Sequence, residues 1–122
     1  MKYLFLTILS LSLIVVACKK DQAPIVNPIP EGDCVEVVSF SQTVQPLIEQ
    51  GCATTGCHDM QTHESGFDFS GYQNISLLME PTIIGSIRHD PGFAPMPFGA
   101  PKFDDTSIQK IECWIAQGKL NN

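Results

Sequence analysis

Positive charge is scarce in this chain of 122 residues, where seven Lys and Arg stand against 13 Asp and Glu for a formal net charge of −6. Phosphate recognition needs clustered cations, so nucleic acid is excluded as a partner. Long apolar runs are lacking too. The longest, Tyr3 to Ala17, is broken by Thr7, Ser10 and Ser12 and is short for a membrane span, which takes roughly 20 residues. There is no Gly-rich phosphate loop, no Ser-centred nucleophile elbow and, with only three histidines, no second histidine pair suited to a catalytic metal. No internal repeat is visible. The length itself excludes a large multidomain enzyme. What the chain does have is cysteine: five of them, at positions 18, 34, 52, 57 and 113.

Met1 and Lys2 followed by the apolar run have the layout of a secretory signal. The run ends in Val15-Val16-Ala17-Cys18, which resembles a bacterial lipobox. That resemblance implies removal of residues 1–17 and lipidation of Cys18, so that the protein would sit in the bacterial cell envelope, lipid-anchored and facing the periplasm or the cell surface. Multiple acyl chains make such anchoring stable. The alternatives are an ordinary signal peptide or an uncleaved anchor helix. Residues 18–37, with Pro24, Pro28, Pro30 and Gly32, show no helical or alternating pattern and read as an extended tether. Residues 38–122 are then expected to form a single domain.

Cys52-Ala53-Thr54-Thr55-Gly56-Cys57-His58 carries the chemistry. A haem held by two thioethers needs two thiols on one side of a tight turn and an imidazole immediately after the second to ligate the iron. The usual spacing is C-x-x-C-H. Here four residues separate the cysteines, and a bulged loop absorbs the extra pair if Gly56 takes a positive φ. The competing reading places zinc among Cys52, Cys57, His58 and His63. Side chains at the adjacent positions Cys57 and His58 diverge, which suits a porphyrin edge and its iron better than one tetrahedral ion. Upstream, Phe40, Val44, Leu47 and Ile48 recur at helical spacing behind a Ser39 or Ser41 N-cap, with Pro46 tolerable near the first turn.

A short amphipathic helix running into C-x4-C-H resembles the opening of a class I cytochrome c domain. A second stretch strengthens the likeness. Ala94-Pro95-Met96-Pro97 and the ending Trp114-Ile115-Ala116-Gln117-Gly118 resemble the M-P segment and the W-I-x-x-G helix of small, envelope-bound members of that family. The likeness spans roughly residues 38–120. It implies an all-α, small cytochrome c-like fold of three to five short helices wrapped around one covalent haem c. Cys52 and Cys57 would form the thioethers, His58 would be the proximal iron ligand, Met96 the distal one and Trp114 a packing residue of the last helix. His89 is the rival sixth ligand, or, together with Arg88, a contact to a haem propionate. With Cys18 lipidated and two thiols on haem, Cys34 and Cys113 remain, an even number in an oxidising compartment, and are expected to pair. The alternative is two buried free thiols. In the family the last helix crosses the first, which brings Cys113 within reach of Cys34.

Ser70-Gly71-Tyr72-Gln73 has the form of a capping box. A short helix should follow through Ile75, Leu77, Leu78 and Met79 and end at Pro81. Ile83, Ile84 and Ile87 suggest a further turn or two, and a final helix opens at Asp104-Asp105-Thr106 and closes at Gly118. The function expected is electron transfer by a monohaem carrier, not substrate conversion. His58 and Met96 would leave the iron no open position. Redox partners with basic docking surfaces suit the acidic chain, either for a monomer or for a subunit of a redox assembly. The alternatives are a five-coordinate haem enzyme or ligand sensor, and a haem-free lipoprotein in which Cys52 and Cys57 form a disulfide and the domain is an interaction module.

Overall fold

The computed structural model describes residues 34–77 and 80–122. The signal, Cys18 and the tether up to Asp33 lie outside the described residues, as do Leu78 and Met79. Among the described residues the chain is helical, with no strand. A π-helical turn Phe40–Val44 runs into α1, Gln45–Gly51. After the loop come a 3-10 turn Glu64–Gly66, α2 Gly71–Ser76, α3 Glu80–Arg88 and α4 Asp105–Ala116. No helix among these residues is long and apolar enough to cross a membrane.

Each helix end has a local cause. Ser39 caps the first element, its hydroxyl accepting from the Gln42 N–H at 3.3 Å. Thr43 and Val44 both donate to the Ser39 carbonyl, which widens the opening turn. Pro46, lacking an N–H, falls in the first turn of α1, where its missing donor does least damage. At α4, Asp104 accepts from the Ser107 N–H at 3.0 Å and from its hydroxyl at 2.7 Å. That helix ends in a Schellman motif. Gly118 takes φ +88 and donates to Ile115, and Lys119 donates to Trp114.

Two expectations are corrected. Ser70 does precede α2, but its side chain makes no cap bond. The Asp68 carboxylate, a stronger acceptor than a backbone group, takes both the Ser70 hydroxyl and its N–H and also accepts from the Asn74 amide, so the box never closes. Pro81 does not end a helix. It sits in the first turn of α3, where a proline's fixed φ is already helical.

The opening π-helical turn packs against α4. Phe40 and Trp114 have ring centroids 5.5 Å apart, and Tyr72 stands edge-on to Phe40 at 5.1 Å. At the other end of α1, Gly51 lies under Phe103, whose ring would be 2.1 Å from any Cβ added there. Val44, Ile48, Ile75, Ile84, Ile87 and Ile111 are the most deeply buried side chains of the core between them. Cys34 and Cys113 form a disulfide with Cα atoms 5.3 Å apart. Beside it, the Gln117 amide accepts from Val38 N–H at 2.8 Å and donates to the Glu36 carbonyl at 2.7 Å. The hold on α4 therefore begins at Cys34.

Candidate functional site

Cys52 terminates α1, donating its N–H to Ile48 at 2.8 Å. The loop that follows closes on itself, because Cys57 N–H donates to the Thr54 carbonyl and His58 N–H reaches back to the Cys52 carbonyl at 3.2 Å. Gly56 takes φ +86, the conformation the widened spacing demands. The sequence reading missed Asp59. One of its carboxylate oxygens accepts from Gly56 N–H at 3.0 Å, the other from the N–H groups of Gln61 at 2.8 Å and Thr62 at 3.1 Å. The Gln61 N–H, then the Thr62 hydroxyl and the other two N–H groups, hold that carboxyl down to about 2. An Asp followed by polar residues in a turn is the signal that would have found it.

The two cysteines of the loop are both free thiols, in a chain whose other described pair is oxidised. Cys52 faces the core, and burial, with Cys57 adding to it, pushes its thiol up to about 12. Cys57 is exposed. His58 is buried, and residues 64–69 fold over it: Glu64 N–H donates to Cys57, Phe69 N–H donates to His58, and the Phe69 ring lies 4.6 Å from the imidazole. The Nδ1 atom of His58 is 3.1 Å from the Glu64 carbonyl oxygen. A proton on Nδ1 donated to that carbonyl leaves the Nε2 lone pair for a metal, which is how a ligating histidine is oriented. Two unjoined thiols and an imidazole with one nitrogen committed fit a covalently attached haem in donor chemistry.

The other candidates fall into separate groups. Met96 is half-buried on the loop between α3 and α4, preceding a cis peptide to Pro97. Its N–H donates to Ser86 at 3.0 Å, and its carbonyl oxygen is 3.1 Å from His89 Nε2. Arg88 is paired with Glu112, Nη2 to Oε1 at 2.5 Å, on the floor of a groove of about 300 Å³ between α3 and α4 rimmed by Asp90, Lys102 and Asp105. Nothing in the sequence reading anticipated Glu112 as a buried partner. His63 is exposed and lies 3.7 Å from Asp68. Among the described residues no three His, Cys, Asp or Glu side chains converge as a metal site, so Cys52, Cys57, His58 and His63 are not gathered around one point.

No protein-family model matches this chain, and no curated protein or solved structure matches it either.

Proposed function

We propose that the protein is a lipid-anchored monohaem c-type cytochrome that carries single electrons in the bacterial cell envelope. One observation supports this reading above the others: Cys52 and Cys57 remain unjoined on a closed loop, and the next residue, His58, has its Nδ1 directed at a backbone carbonyl. Haem bound there would supply a one-electron Fe(III)/Fe(II) couple. The chain's own residues do the rest. Cys52 and Cys57 would attach the group, His58 and Met96 would ligate its iron, and Phe67 and Phe69 pack their rings against the imidazole. The acidic chain favours weak, salt-sensitive docking with basic redox partners, and Cys18 carries the lipid.

The test is a reductive titration of the full chain matured in a host that assembles c-type cytochromes. One electron taken up per chain, with haem absent from Cys52→Ser/Cys57→Ser, supports the reading. A colourless wild type overturns it. Cys18→Ala should move the protein from the membrane fraction to the soluble one.

A further inference from the structure

Met96 is held through its backbone at two points, one in the last turn of α3 and one at His89 just beyond it. Its N–H donates to the Ser86 carbonyl, and its own carbonyl accepts from His89 Nε2. The chain between them is closed and packed. Asp90 N–H donates to Gly85 at 2.9 Å, Phe93 N–H donates to Asp90 at 3.2 Å, and the Phe93 ring lies on Gly85 so closely that a Cβ there would stand 2.4 Å from it. His89 adopts φ +59 to make this turn. A left-handed conformation is unfavourable for a residue with a Cβ, and the hydrogen bond to Met96 offsets it.

Resting on the reading of Met96 as the second iron ligand, we propose that His89 is the positioning residue of that ligand and not its competitor. The Nε2 atom of His89 is already engaged, donating to the Met96 carbonyl. Fixing both backbone groups of Met96 removes main-chain freedom that the residue would otherwise lose when its thioether binds iron, so the loop is pre-organised for ligation. Removing one neutral hydrogen bond changes such an equilibrium by about two- to tenfold.

The experiment compares wild type, His89→Phe, which keeps a ring and removes the donor, and His89→Gln, which restores a donor of similar reach. Two readouts separate this inference from the functional reading. The first is amide hydrogen exchange at Met96, which needs no haem: it should quicken about two- to tenfold in His89→Phe and return toward wild type in His89→Gln. The second is the weak near-infrared sulfur-to-iron band of the oxidised holoprotein together with carbon monoxide binding after reduction. The band should weaken, and carbon monoxide should bind about two- to tenfold faster, in His89→Phe alone. Unchanged exchange, or unchanged band and carbon monoxide kinetics, overturns the positioning role. A wild type with covalent haem that lacks the band altogether removes Met96 as the second ligand and also overturns it. A wild type without haem overturns the functional reading, and Met96 exchange then still decides whether His89 holds the loop.

Discussion

The Nδ1 atom of His58 lies 3.1 Å from the carbonyl oxygen of Glu64, six residues along the chain. Because a carbonyl only accepts, this contact selects the tautomer protonated at Nδ1 and presents Nε2 as a free donor of electrons. In the haem-free protein with the ring neutral, ¹⁵N chemical shifts should show that tautomer as the main form. A predominantly Nε2-protonated ring would contradict the orientation on which the site depends.

The four cysteines from Cys34 onward should sort by environment. In the haem-free native protein, an alkylating reagent should label exposed Cys57 first and buried Cys52 only on unfolding, because burial keeps that thiol protonated up to about 12. Denaturation without reductant should release these two thiols and no more. Four reactive thiols would remove the Cys34–Cys113 bond. Replacing that pair by serine should lower stability by about 2–4 kcal/mol, read by denaturant unfolding.

Arg88 and Glu112 join the end of α3 to the middle of α4 through a pair whose carboxylate is almost wholly buried. Arg88→Met strands that charge and should destabilise the fold by about 3–5 kcal/mol in urea, whereas Arg88→Met/Glu112→Leu should recover most of the loss. A single variant within about 0.5 kcal/mol of wild type would mean the pair contributes no more than an ordinary surface contact.

Acid should weaken the start of α4. The Ser107 hydroxyl, then the Ser107 N–H, hold the Asp104 carboxyl below its ordinary 3.8. A carboxyl whose folded pKa is depressed contributes stability that is complete above its unfolded value and disappears as pH falls through the folded one. Part of the decline in Tm below about pH 4 should therefore vanish in Asp104→Asn, which keeps a capping oxygen but has no charge to lose. Parallel Tm curves for the two proteins would contradict this.

Much of the helical skeleton was legible because its determinants are local. The Phe40, Val44, Ile48 face, the Asp104 cap and the Gly118 stop depend on residues within a turn of one another, and each stands where the pattern put it. Gly56 was legible for the same reason. Ser70 was not, since a nearby carboxylate outcompeted the backbone N–H, and a capping pattern does not reveal what else a hydroxyl will meet. Pro81 misled because a proline stops one helix or starts the next with equal ease. The tertiary relations that shape the candidate site were out of reach: Glu112 beneath Arg88, Phe93 on Gly85, and the Glu64 carbonyl against His58 each depend on how separate segments pack. The Asp59 clamp is the exception, local and overlooked.

The most direct test of the central claim is an optical spectrum of the full chain, oxidised and reduced, purified from a cytochrome c-assembling host and then extracted with acid-acetone. The account predicts sharp reduced bands, colour that stays with the protein through extraction, and a weak near-infrared sulfur-to-iron band when oxidised. A protein that is colourless, or that gives up its colour to the solvent, would contradict covalent haem at Cys52 and Cys57.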